Sequence, residues 1–236
     1  MKLRIKFHKF GAVKFIGHLD VMRFFQKALR RADIDVAYSG GFSPHQIMSF
    51  ASPLGVGLES NGEYFDVEIN SPISSQEFMD KVNAVSIPEM QILDVRLLPE
   101  KAGNAMASVA AAGYTIRFRE GREFTGIWQE KFTEFIAQKE IKITKATKRG
   151  SAEIDLKPAI YDCKVNDDSS IYLLVNASSE GNIKPTLVMD AFAAFLGQEL
   201  QANALLITRE ETYGSKVNKS GEQTFIPLAD FGEWID

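Results

Sequence analysis

The chain has 236 residues, 45% of them apolar and 25% charged, with a formal net charge of −4. This is the composition of a soluble globular protein, long enough for one large domain or two small ones with a substantial core. The single cysteine, Cys163, excludes an intramolecular disulfide and any multi-cysteine cluster built from this chain alone. No run approaches the ~18 apolar residues of a membrane span, and the opening MKLRIKFHKF lacks a signal-type apolar block, so a cytoplasmic protein with no membrane partner is expected.

The first predicted element is a half-buried strand in which Leu3, Ile5 and Phe7 alternate with Lys2, Arg4, Lys6 and His8. Gly11 breaks it. From about Ile16 to Ala32 the period becomes helical, with Leu19, Val21, Phe25, Ala28, Leu29 and Ala32 as the apolar stripe and Arg23, Lys27, Arg30 and Arg31 opposite. Val36 to Tyr38 begins a second strand, interrupted at Gly40-Gly41, and Pro44 makes Phe42–Phe50 an edge or a loop. Glu63–Ile69 alternates clearly, with Phe65, Val67 and Ile69 inward. Ser74 and Glu77 have capping-box spacing ahead of a helix to about Val85, and Met90–Leu98 returns as a strand.

Strand, helix, strand, strand, helix, strand is the ferredoxin-like (βαββαβ) order. After a small, polar linker at Pro99–Ser108 the order recurs. It runs through a strand at Tyr114–Phe118, a helix at Ile127–Lys139 and strands at Ile141–Ala146, Ala152–Lys157, Ala159–Val165 and Ser170–Ala177. A helix from Pro185 to Gly197 and a strand at Leu205–Ile207 follow. The predicted fold class is therefore α+β, with tandem ferredoxin-like domains of mostly antiparallel sheets. The first covers residues 1–100 and the second 108–214, with an extra strand pair near Lys148–Lys157. Residues 215–236 form a polar linker and an apolar tail, whose Phe225, Ile226, Leu228, Phe231 and Trp234 are expected to dock on this chain or on a partner.

Charge is uneven. Residues 1–50 carry nine Lys/Arg against three Asp/Glu, whereas the remainder is acidic overall. A basic region on an acidic chain attracts phosphate. The helix cations Arg23, Lys27, Arg30 and Arg31 are better candidates than the strand cations Arg4 and Lys6, because Asp66 and Glu68 on a neighbouring strand would neutralise the latter. Ser39, Gly40, Gly41, Phe42, Ser43 and His45 form a loop whose glycines either cradle an anion or turn the chain. His18 and Asp20 open the basic helix. Neither zinc-ligand spacing nor a phosphate-loop motif is present, so no metal is assigned. His18 is a weak candidate base for RNA cleavage, against an ordinary structural role at the helix start.

The motifs at Phe15–Asp20, Ala28–Ala32, Tyr38–Pro44 and Leu54–Ser60 together resemble the radical SAM-associated domain of unknown function, and Ala152–Val165 looks like that family's second block. Gln46 and Ile47 stand where the family often carries a basic residue. The resemblance implies an accessory protein acting beside a cobalamin-binding radical SAM protein. This chain has no CxxxCxxC for an iron–sulfur cluster, so no cofactor of its own is expected and the radical chemistry would belong to another chain. RNA, or a substrate held by that partner, is the expected ligand. The alternatives are a metal-independent endonuclease, since tandem ferredoxin-like domains also resemble CRISPR-repeat-processing enzymes, and a protein adaptor contacting through its tail. The glycine-rich loop of those nucleases is absent from ALLITREETYG.

Overall fold

The computed structural model describes residues 1–147, 150–218 and 221–236. The chain divides into two units, one made of Met1–Ala110 with Arg209–Asp236 and the other of Ala111–Thr208. Among the described residues there are five α-helices and eleven strands, and the strand pairs whose direction is defined are antiparallel.

Met1–Ala110 carries β1 (Lys2–Lys9), α1 (His18–Arg31), β2 (Met48–Phe50), β3 (Glu59–Glu68), α2 (Ser75–Ala84), β4 (Ile92–Leu97) and the one-turn α3 (Ala105–Ser108). β1 lies between β4 and β3, and β2 pairs with the end of β3 through Met48–Val67 and Phe50–Phe65. Leu3, Ile5, Phe7, Phe65, Val67 and Val95 form one fully buried face of this sheet, packed with Phe25 and Leu29 of α1 and Phe78 and Val82 of α2. The phenylalanines lock together edge-on or tilted: Phe7 and Phe25 have ring centroids 4.6 Å apart, Phe25 and Phe65 4.9 Å.

Helix α1 begins at His18 and not at Ile16, because Gly11, in the left-handed region at φ 64°, opens a 3-10 turn over Gly11–Phe15 and Gly17 becomes the N-cap. Leu19 does not join the apolar stripe and is largely exposed. At about 100° per residue it falls on the flank of the helix, away from Val21, Phe25 and Ala28. The expected second strand at Val36–Tyr38 is reduced to two isolated bridges, Val36 to Ile69 and Tyr38 to Gln46. Ser74 does cap α2, its hydroxyl accepting from Glu77 N–H at 3.1 Å.

Ala111–Thr208 carries β5 (Ala111–Phe118), α4 (Trp128–Ala137), β6 (Lys142–Thr147), β7 (Gly150–Asp155), β8 (Ile160–Val165), β9 (Ile171–Asn176) and α5 (Pro185–Leu196). The start of β10 (Leu205–Val217) also belongs to it. β9 lies between β5 and β8, while β6 and β7 form a separate hairpin. Phe124, Trp128, Phe132, Phe135 and Phe192 build an aromatic core under this sheet. Of the strand pair expected near Lys148–Lys157, positions 148 and 149 lie outside the described residues.

Arg209–Asp236 completes the first unit. β10 continues to Val217 and pairs with β11 (Gln223–Pro227), so Ser215–Val217 and Gln223 are strand residues; positions 219 and 220 of the expected polar linker lie outside the described residues. A 3-10 turn at Leu228–Phe231 then runs against β1 and β4, with Leu228 fully buried. Glu233 pairs with Leu97 in both directions (2.8 and 2.9 Å), and Ile235 exchanges hydrogen bonds with Ser75 at the start of α2. The tail thus docks on its own unit.

This docking explains the second face of β1. Sequence alternation places Arg4, Lys6 and His8 outward, but Arg4 is 1% exposed and its register partner Asp66 2%. Arg4 holds Asp66 through Nε–Oδ1 at 2.8 Å and Nη2–Oδ2 at 3.1 Å. It also donates to the Leu228 carbonyl and the Ser108 hydroxyl, both at 3.3 Å. Lys6 pairs with Glu211 at 2.6 Å, not with Glu68. Tyr64 donates to the same Glu211, and burial with that carboxylate beside it pushes the phenol's pKa far above its ordinary value. The face is polar in sequence but interior in structure around Arg4 and Asp66, and each Lys and Arg on it has a carboxylate.

Candidate nucleic-acid interface

Residues Ala37–Ile47 form a finger. Ile47 N–H donates to the Ala37 carbonyl at 2.9 Å and Ser39 N–H to the His45 carbonyl at 2.8 Å. His45 N–H donates to Ser39 Oγ at 3.1 Å, and that hydroxyl lies 2.9 Å from His45 Nδ1. The stem is therefore closed at Ser39 and His45. The tip is Gly40, Gly41, Phe42, Ser43 and Pro44, all exposed, with Gly41 at φ 98°, a conformation that a residue with a Cβ rarely adopts. The double glycine turns the chain, and the residue it presents is Phe42, which is fully exposed.

Gln46 anchors the finger. Its side chain is buried, and Nε2 donates to the Gln26 carbonyl in the middle of α1 at 3.3 Å, with the Tyr38 hydroxyl at 3.5 Å. Among the described residues its Oε1 has no protein hydrogen-bond donor. The sequence marks Gln46 only as a departure from a basic residue; its anchoring role has no signal there, because a lone glutamine in a loop follows no period.

The anchor point determines which cations share a surface with the finger. At about 100° per residue, Arg30 lies about 40° and Arg23 about 60° around α1 from Gln26, whereas Lys27 lies about 100° and Arg31 about 140° away. Leu19, Arg23, Gln26 and Arg30 run as one stripe along the finger's flank. All four cations are exposed. Arg23 has Asp20 at 3.3 Å across an exposed i, i+3 pair, an interaction of little energetic weight. Among the described residues Lys27, Arg30 and Arg31 have no carboxylate partner. Arg30 and Arg31 also sit in the last turn, where they complement the helix dipole.

His18 is not part of this surface. Its ring stands edge-on to Phe50 at 5.2 Å and lines a cavity of about 10 Å³ bounded by Phe7, Lys9, Phe50, Ser52 and Glu63. That is room for one water. Nearby, Glu63 accepts from Arg209 at 2.8 Å, and Lys9 donates to the Ile16 carbonyl at 3.0 Å. Burial pushes the Lys9 ammonium's pKa below its ordinary value, partly opposed by Glu63. These buried charges, which carry no signal in the sequence, fix the approach to α1. No group of three or more His, Cys, Asp or Glu that could hold a metal occurs among the described residues.

A second concavity, of about 480 Å³, is bounded by Arg4, Lys101, Gly103, Ser108 and Phe231. Arg4 is already committed there to Asp66, Leu228 and Ser108. No helix of the described residues is long and apolar enough to cross a membrane.

A family model described as an uncharacterized protein conserved in bacteria (DUF2344) matches residues 2–185, most of the chain and all of the surface just described. No curated protein matches.

Proposed function

The chain belongs to the DUF2344 family, and from that premise we propose that it is a binding protein that holds RNA on the Arg23–Arg30 flank of α1 and the adjoining finger. The observation that carries this reading is the Gln46–Gln26 hydrogen bond, which joins a glycine-tipped loop to a helix flank whose cations are exposed. Exposed guanidinium groups beside a glycine-tipped loop are a usual means of gripping phosphate without reference to sequence. Ferredoxin-like architecture for both units belongs to the same reading. It is supported by the strand order β4-β1-β3 with β2 on β3, and by β9 between β5 and β8. We further propose, from the motif resemblance at Phe15–Asp20, Ala28–Ala32, Tyr38–Pro44 and Leu54–Ser60, that the chain serves a separate radical SAM enzyme as an accessory; with one cysteine here, the iron–sulfur cluster would be held by that enzyme. A non-catalytic role fits the packing of His18 edge-on against Phe50 at the start of α1, a structural contact.

The test is RNA binding by fluorescence anisotropy across a salt series. Changing Arg23, Lys27, Arg30 and Arg31 together to Ala should weaken binding and flatten its salt dependence, by about 0.7–0.9 in the log–log slope for each phosphate that is no longer neutralised. Arg23→Ala with Arg30→Ala should account for more of the loss than Lys27→Ala with Arg31→Ala. Unchanged affinity in the fourfold variant refutes the reading.

A further inference from the structure

Resting on that reading, we infer that the finger takes an unpaired nucleobase on Phe42, so that the RNA bound is single-stranded. Phe42 leaves both faces of its ring to solvent at the tip of a loop whose stem is fixed by Ser39 and His45 and whose base is fixed by Gln46. Holding an aromatic ring out in this way wastes its burial energy unless something stacks on it. The rest of the finger suits a base better than an apolar partner. Gly40, Gly41, Ser43 and Pro44 add no further large apolar side chain, while half-exposed Tyr38 and exposed His45 offer a second ring and polar edges along the stem.

Charge points the same way. The helix flank beside the finger presents Arg23 and Arg30, placed to hold the backbone of a strand whose base reaches Phe42. Stacking platforms next to a cationic track are how single strands are bound without a sequence code. An A-form duplex keeps its bases stacked and its major groove too narrow for a side chain, so it gives Phe42 nothing to stack on. One ring is also too little apolar surface to hold a membrane stably.

The test uses the full chain with fluorescein-labelled oligouridylate and oligoadenylate, and a fully paired RNA hairpin of matched length. Both single strands should bind more tightly than the hairpin. Phe42→Ala should weaken single-strand binding by about 5- to 150-fold, the span of one base–aromatic stack, and leave the salt slope unchanged. Phe42→Trp should retain the affinity. Because the tip touches no core residue, circular dichroism melts of both variants should match the parent. If Phe42→Ala binds as well as the parent while Arg23→Ala with Arg30→Ala still lowers the salt slope, stacking is refuted and RNA binding stands. If the parent binds neither single strand nor hairpin, both fall. Equal affinity for hairpin and single strand, or Phe42-dependent sedimentation with phosphatidylglycerol vesicles in place of RNA binding, also overturns the inference.

Discussion

Removing Asp66 should unfold the first unit more readily than almost any other single change, and by more than removing its partner Arg4. The pair is 1–2% exposed, doubly hydrogen-bonded and covered by the Leu228 turn. Asp66→Ala leaves the Arg4 guanidinium buried with only the Leu228 carbonyl and the Ser108 hydroxyl as acceptors. An uncompensated buried charge costs about 3–5 kcal/mol. For a chain of this size that lowers the melting temperature by about 6–20 °C. Arg4→Met leaves Asp66 with Lys2 at 3.8 Å, a half-exposed cation able to move closer, so its cost should sit below that range. Arg4→Met combined with Asp66→Leu should recover most of the loss, because the desolvation penalty disappears with the charges. Urea unfolding of the four proteins, followed by circular dichroism with coincident probes, ranks them. An Asp66→Ala cost under about 1 kcal/mol would match an exposed pair and refute the claim that this face is interior.

Gly62→Ala should destabilise by about 1–3 kcal/mol, since its Cβ would stand 2.6 Å from Glu211 Cα and force β3 and β10 apart; thermal melts check this, and an unchanged melting temperature contradicts the close approach. Lys9 supplies a pH test. Its folded pKa lies below the ordinary 10.5, so between the two values the unfolded chain binds more protons and stability must rise with pH. Lys9→Met should remove that rise in urea midpoints measured from pH 7 to 10, with the raised Tyr64 phenol cancelling in the comparison. A slope identical to the parent's argues against a charged, desolvated Lys9.

Local pattern reveals much of this molecule. The alternation at Leu3, Ile5 and Phe7 and the 3.6-residue stripe of Val21, Phe25, Ala28 and Leu29 place their residues in the core, as does the run of aromatics around Phe132 and Phe192. Where β1 and β3 face away from the core, local pattern falls short for one reason. Alternation says that Arg4 and Tyr64 point away from Leu3 and Phe65, but not whether water or protein lies there. That depends on Leu228, some 224 positions away, whose arrival has no local signature. At the surface site the cationic helix and the glycine loop are legible separately. Their common flank is not, because it hangs on Gln46 reaching Gln26, and the same hydrogen bond separates Arg23 and Arg30 from Arg31.

The interleaving of the first unit carries a consequence for synthesis. Arg209–Asp236 leaves the ribosome only after all of Ala111–Thr208, so β1–β4 must wait for the strand and turn that shield Arg4 and Asp66. At about 5–20 residues per second that interval is on the order of ten seconds. Throughout it the nascent sheet shows one finished face and one raw face bearing Lys2, Arg4, Lys6, Tyr64 and Asp66. A charged raw face resists clumping where a greasy one would recruit neighbours.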